Sequence, residues 1–241
     1  MPEFEQAIDF PSESDNLHSF PMDSWNGLHF VAQGPAERLP WEEIGPRFDF
    51  LDIESYIHDP GRDRDHSISA NWLLYVENYL EGFHIPFVHP ELNQSLDYSG
   101  YVTEVFDGGV LQIGKAAEGD IKFDLPKNHP DFGQDIAAYY LWLFPNTMLN
   151  FYPWGLSMNL IIPFSYKKTK VEFRSYVWNE ELLKKGAGAD VNKVELEDQE
   201  IIKRVQKGVN SRLYKHGRFS PEMEQGVHHF HTLIQRFMQS R

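Results

Sequence analysis

Asn71-Trp72-Leu73-Leu74-Tyr75-Val76-Glu77-Asn78-Tyr79-Leu80-Glu81-Gly82-Phe83-His84-Ile85-Pro86-Phe87-Val88-His89-Pro90 sets two imidazoles and two carboxylates in an aromatic, apolar run that ends in two prolines. Up to Pro86 the apolar positions recur at helical spacing, with Trp72, Tyr75, Val76, Tyr79, Leu80 and Phe83 on one broad face. A residue that precedes proline is pushed out of the helical region, so the predicted helix ends between Phe83 and Ile85. His84 then falls in its last turn and His89 in the loop beyond.

That break decides what the two histidines can do. On an unbroken helix, residues five apart point roughly 140° from each other, so they could not share one ion. A chain that turns at Pro86 brings His89 back beside His84. Two neutral imidazoles in an apolar shell suit a divalent first-row metal, and a carboxylate from elsewhere would complete a two-His-one-carboxylate facial triad with open positions. The spacing differs from HExxH, in which both histidines share one helical face. The competing reading is two histidines that only hydrogen-bond at a helix end, where a cation is favoured.

The whole stretch resembles the iron-binding segment of the Rieske non-haem iron oxygenases, the ring-hydroxylating oxygenase alpha subunits and their monooxygenase relatives. It carries Asn-Trp, then Glu-Asn-Tyr-Leu-Glu, then Phe-His and a second His-Pro. The resemblance implies that His84 and His89 bind mononuclear Fe(II), and that Glu81 relays electrons between subunits, with Asn78 its companion near the iron. By position, Glu81 also reads as a carboxylate that orients His84 rather than as a ligand. Asn71, Trp72 and Glu77 read as packing and helix-start residues.

A second signature follows far along the chain. Glu197-Asp198 is trailed by Val205-Gln206-Lys207-Gly208, Tyr214-Lys215-His216-Gly217 and Ser220-Pro221, then Gly226-Val227-His228-His229-Phe230-His231. Carboxylates near a predicted helix start are common for dipole reasons alone. The resemblance, however, implies that Asp198 is the third iron ligand, with Glu197 as the fallback. His228, His229 and His231 occupy neighbouring helical positions that fan around the axis, and read as surface or interface residues.

The chain has 241 residues, 41% of them hydrophobic, with 18 Phe and 6 Trp, enough for one large domain or two small ones. A formal charge of −14 argues against a nucleic-acid partner, which needs a basic patch. No apolar run reaches the length of a membrane span, and Met1 to Glu5 lack the features of a signal peptide, so the expected location is the cytoplasm. With zero cysteines there is no disulfide, thiol nucleophile or thiolate metal site. A Rieske cluster needs two cysteines and two histidines. The expectation is therefore a chain without its own Rieske domain: a fragment, a separate domain, or a subunit served by another protein.

Residues 1–48 are expected to be a connector that follows the missing domain, with one strand from Leu28 to Ala32 and an extended segment through Pro40-Trp41 and Pro46. Residues 49–241 are expected to form the mononuclear iron domain. Phe48 to Ile53 reads as a helical turn, Asp59 to His66 as a solvated turn, and Leu92 to Leu96 as a lid-like connection. Predicted strands are Tyr101 to Phe106 and Val110 to Gly114 about a Gly108-Gly109 turn, then Ala138 to Phe144, Thr147 to Pro153, Ser157 to Pro163 and Lys170 to Trp178. Residues 115–138 read as a long mobile excursion. Predicted helices run from Glu195 to Asn210, with Leu196, Ile201, Ile202, Val205 and Val209 inward, and from Ser220-Pro221 to Gln239. The fold class is α+β, a curved antiparallel sheet wrapped around C-terminal helices. That agrees with the helix-grip (START/Bet v1-like) domain the resemblance implies.

Phe83, Phe87, Leu143, Leu149, Phe151, Tyr152, Trp154 and Met158 are candidates for a substrate pocket by position and type. Such a lining suits an aromatic substrate, or a quaternary ammonium group through cation–π attraction. The function implied is O2-dependent mono- or dihydroxylation of a small organic substrate, with electrons from a separate Rieske partner and a homotrimeric assembly. Two rivals remain: a helix-grip protein that only binds hydrophobic ligands, with a vestigial metal site, and a zinc hydrolase using the same ligands.

Overall fold

The computed structural model describes residues 3–4, 6–32 and 41–239; Pro40 of the expected extended connector lies outside them. A hairpin of β1 (Met22–Trp25) and β2 (Leu28–Val31) opens the chain, and a single helical turn, α1 (Trp41–Ile44), follows. Trp41 and Pro46 are thus in helical turns rather than extended backbone, Pro46 near the start of a 3-10 turn, where its missing N–H is not needed. Next come β3 (Ile57–His58), β4 (Arg64–Ile68), α2 (Trp72–Tyr79), α3 (Ile85–Val88) and α4 (Leu92–Ser95). Five long strands then build most of a sheet: β5 (Leu96–Phe106), β6 (Gly109–Ala116), β7 (Ile136–Leu143), β8 (Thr147–Tyr152), β9 (Gly155–Ser165), with β10 (Lys168–Val177) as a sixth. Two helices, α5 (Val191–Val209) and α6 (Gln225–Gln239), complete the described chain.

The sheet is eight-stranded and antiparallel, in the order β3-β10-β9-β8-β7-β6-β5, with β4 also paired to β10. The β5–β6 turn is Asp107-Gly108, and the left-handed backbone at Gly108 (φ +85°) is one that glycine adopts without strain. Both faces of the sheet are covered. One face carries Val110, Trp142, Met148, Ile161, Val171 and Phe173 against α2, α5 and α6. The other carries Leu111, Tyr139, Leu141, Leu149, Phe151 and Leu156 against Trp25, Ile44, Phe48 and Ile53. Trp25, Leu28, Phe30, Trp41, Ile44 and Phe48 are therefore packed onto the sheet, with Trp25 stacked on Trp41 at 4.5 Å.

Three expectations change here. Residues 115–138 are not a mobile excursion. Phe123 and Leu125 enter the core, and Asp131 is clamped by the Tyr139 hydroxyl at 2.8 Å and by Arg47 at 3.1 Å. α5 begins at Val191, four residues early, so Glu197 and Asp198 lie in its second turn and not at its start; Asp190 caps it by accepting the Lys193 N–H at 2.9 Å. Its buried face is Glu195, Gln199, Ile202 and Gln206, while Leu196 and Val205 are exposed. At the far end, Ser220-Pro221 forms a turn, and α6 starts only at Gln225.

Candidate metal centre

Asn71 caps α2, its Oδ1 accepting the Leu73 N–H at 2.9 Å, and the helix stops at Leu80, short of the predicted Phe83 to Ile85. Gly82, a poor helix former, follows two residues after the stop. Gly82 lies against Tyr101, whose ring atom would stand 2.8 Å from a Cβ at that position. Pro86 does not end a helix either. It sits in the first turn of α3, where a missing N–H costs nothing. His84 and His89 are the residues that flank this one turn, and their rings meet edge-on, 5.1 Å apart.

α5 supplies the third side. Asp198 Oδ1 lies 3.0 Å from His89 Nε2 and 3.4 Å from His84 Nε2, and it accepts a hydrogen bond from Asn78 Nδ2 at 2.7 Å. The far nitrogen of each imidazole is also held. Glu81 Oε1 is 2.6 Å from His84 Nδ1 and its Oε2 accepts the His84 backbone N–H at 3.1 Å, while Glu197 Oε2 is 2.7 Å from His89 Nδ1. Glu197 is thus placed behind His89 as Glu81 is behind His84, a symmetry that the residue spacings do not reveal.

His84, His89 and Asp198 each offer one ligand atom, and these atoms lie within 4.8 Å of one another, the sole such group among the described residues. Burial opposes charge on both imidazoles, but the carboxylates outweigh it. Asp198 and Glu81 raise His84 to about 9, and His89 is raised mainly by Asp198. Asp198 is lowered despite burial, because both histidines donate to it. Two imidazole nitrogens and one carboxylate oxygen, with each ring fixed from behind by a carboxylate, fit a divalent first-row ion. Glu81 spends both oxygens on His84, so it is not the free general base that a zinc hydrolase would need.

The three groups open onto a cavity of about 740 Å³, its open mouth included. Its aromatic wall is Tyr79, Tyr101, Tyr140 and Tyr152, whose buried hydroxyls are all pushed well above their ordinary value by desolvation and stay neutral. Gln112, Asn150 and Asn159 form its polar floor, and Glu195 lies at one side. Burial raises Glu195 to about 8, against its hydrogen bonds from Tyr75 and Gln199. A neighbouring cleft shares Phe173, Val191 and Glu195 and adds Arg62, Arg64, His66 and Trp154.

Of the pocket candidates, Tyr152 lines the cavity and Trp154 lines only the neighbouring one, stacked on Tyr152 at 5.3 Å. Leu143, Leu149, Phe151 and Met158 are on the opposite face of the sheet. Phe83 is half-buried away from the cavity, and Phe87 is 84% exposed. The cause is strand parity: β7 and β8 are buried on both faces, so apolar character alone cannot tell one from the other. The floor residues do leave a signal, as single amides inside apolar strands: Gln112 in Val-Leu-Gln-Ile, Asn150 in Met-Leu-Asn-Phe and Asn159 in Ser-Met-Asn-Leu. The late histidines diverge as expected, His229 to the Phe106 carbonyl and His231 to Glu77.

Residues 53–240 match the catalytic domain of the ring hydroxylating alpha subunit family. The chain is similar to chloroplastic choline monooxygenase of Arabidopsis thaliana, 32% identical over 179 residues, which are 71% of this chain and 40% of that protein. The carnitine monooxygenase oxygenase subunit of Escherichia coli K12 is 32% identical over 247 residues, 95% of this chain and 64% of that protein. Putrescine 2-hydroxylase of Bordetella bronchiseptica is 28% identical, covering 92% and 55%. The chain spans less than two thirds of the length of each of these curated relatives. In fold it is similar to a quaternary ammonium Rieske monooxygenase, with a TM-score of 0.70 at 21% identity over 90% of this chain and 62% of that one. No helix among the described residues is long and apolar enough to cross a membrane.

Proposed function

The chain belongs to the ring-hydroxylating oxygenase alpha-subunit family through its catalytic domain, and from that premise we propose that it is the oxygen-activating part of a non-haem iron monooxygenase acting on a small alkylammonium compound. The observation that carries the reading is the convergence of His84, His89 and Asp198 on a Tyr-walled cavity. His84 Nε2, His89 Nε2 and an Asp198 carboxylate oxygen would hold Fe(II). When bound, that ion supplies the one-electron route by which triplet dioxygen can react with an organic molecule.

The remaining work falls to the chain's own side chains. Glu81 and Glu197 accept hydrogen bonds from the Nδ1–H groups of the two histidines, which leaves each Nε2 lone pair facing the shared centre. Asn78 keeps Asp198 from swinging away. Four neutral tyrosine rings offer a cation the quadrupole attraction of their faces, which favours an alkylammonium over a plain aromatic ring. Relatives named for choline, carnitine and putrescine support the same substrate class.

Electrons come from a Rieske centre outside the 241 residues, none of which is a cysteine. Glu81, beside His84, is the relay toward it. Residues 1–48 connect to that part, and 49–241 form a helix-grip catalytic domain in a cytoplasmic homotrimer.

The test is anaerobic loading with Fe(II) of the wild type, His84→Ala and Asp198→Ala. Near one iron per chain in the wild type, lost in both variants, is the expected result. No iron in the loaded wild type would sink the oxygenase reading and leave a helix-grip binder.

A further inference from the structure

We propose that Gln112 is the polar anchor of the cavity, accepting a hydrogen bond from a donor on the substrate, so that the site selects alkylammonium compounds that carry an O–H or N–H group. This builds on the alkylammonium reading above.

The amide's orientation is fixed by its partner. Gln112 Nε2 donates to the Tyr79 carbonyl at 2.7 Å, and a carbonyl can only accept, so the two ends of the amide cannot be exchanged. That leaves Oε1 as the end without a partner. Gln112 is 1% exposed, and its Oε1 is one of four buried side-chain atoms among the described residues with no hydrogen bond. The other three belong to Trp41, Arg47 and Trp142, none of which lines either cavity. A buried acceptor left unmet is costly, and in a native fold it calls for an explanation. A partner that arrives with the substrate is such an explanation.

Two other polar side chains of the floor are already committed. Gln112, Tyr140, Asn150 and Ser157 stand opposite one another across β6, β7, β8 and β9, and so share one face of the sheet. Asn150 is already committed, its Oδ1 to the Tyr79 hydroxyl at 2.7 Å and its Nδ2 to the Ser157 carbonyl at 3.1 Å. Ser157 Oγ is spent on Asn159 Oδ1 at 3.1 Å. The anchor is also tied to the metal ligands. Tyr79, which Gln112 grips, is next in α2 to Asn78, which holds Asp198. A substrate bound to Gln112 is therefore indexed against the same helix that positions the metal centre.

The test compares choline with propyltrimethylammonium, in which a methyl group replaces the hydroxyl, on the anaerobic Fe(II)-loaded chain by calorimetry. The wild type is expected to prefer choline about tenfold, one charge-free hydrogen bond's worth. Gln112→Met should bring that ratio near one while still binding propyltrimethylammonium, which also shows that the variant is folded. Equal affinity for the two cations in the wild type overturns the anchor, as does an unchanged ratio in Gln112→Met. A fixed water on Oε1 would give that result. Binding of neither cation by the wild type removes the alkylammonium reading itself, and the anchor with it. If Gln112→Met fails to fold, the wild-type ratio still tests the anchor, because equal affinity for the two cations overturns it.

Discussion

Metal uptake at this centre should be a proton-for-metal exchange, with a slope set by His84. In the metal-free chain the imidazole lies between Glu81 and Asp198, whose carboxylates overcome burial and raise it to about 9. A ligand nitrogen must first lose its proton. At pH 7, roughly two pH units below that value, the cost is about 2.7 kcal/mol, or ~100-fold in apparent affinity. His89 is raised as well and steepens the dependence. Cobalt(II), as an air-stable stand-in for Fe(II), can be titrated calorimetrically from pH 6.5 to 9 in buffers of different ionisation heat. Apparent affinity should climb about tenfold per pH unit for each proton released, then level off above 9. Metal-free stability should move the opposite way. A histidine raised above its unfolded value stabilises the fold fully below about 6.5 and loses that contribution as pH rises through 9, here about 3 kcal/mol. Glu195, raised to about 8 by burial, adds to the same decline from its ordinary value of 4.5 upward. Affinity that stays flat across this range, with no protons released, would refute the whole account.

Glu197→Gln should weaken cobalt(II) binding about 10- to 100-fold without abolishing it, because it loosens His89 and removes no ligand; wild-type affinity in the same titration would count against its orienting role. Gly82→Ala drives a methyl group into the Tyr101 ring and should cost about 1–3 kcal/mol in thermal or urea unfolding. The two sides of the sheet can be told apart by alanine at two phenylalanines. Phe151→Ala, fully buried on the far face, should destabilise by about 3–5 kcal/mol, and Phe87→Ala, 84% exposed, by no more than about 0.5 kcal/mol.

The convergence of His84, His89 and Asp198 was the most legible part of the sequence, because its residues are rare there: two histidines around a proline in an aromatic run, and an acidic pair far downstream. The sheet was legible strand by strand, with boundaries off by a few residues. What failed was the assignment of faces. Leu149 and Phe151 read as pocket residues because β8 is apolar throughout, and only its pairing with β7 and β9 shows that Asn150 and Tyr152 face the cavity. α5 failed in the opposite sense. The periodicity of Leu196 and Val205 marks an exposed side, while Glu195, Gln199 and Gln206 are buried, each with a partner: Tyr75 for Glu195, Glu195 for Gln199, and the Asn71 backbone N–H for Gln206. Hydrophobic pattern reads burial as apolar, and here the polar groups are inside.

Those inward polar groups should therefore behave as coupled pairs and not as independent contributions. Asn150 and Tyr79 give the cleanest case. Asn150 is 3% exposed, and its Oδ1 is the recorded partner of the Tyr79 hydroxyl, which burial keeps neutral. Asn150→Leu leaves that hydroxyl unmet and takes the amide from the Ser157 carbonyl, and should cost about 1–3 kcal/mol. Tyr79→Phe alone removes the donor but leaves Asn150 Oδ1 stranded, at about 1–3 kcal/mol. In the double variant neither partner is left behind, so its loss should fall short of the sum by about 1 kcal/mol or more. Urea unfolding of the metal-free chain reads all four corners of the cycle. Strict additivity would mean that water already serves these groups, and the polar floor would then be a wetted surface instead of a fixed lattice on which a substrate is held.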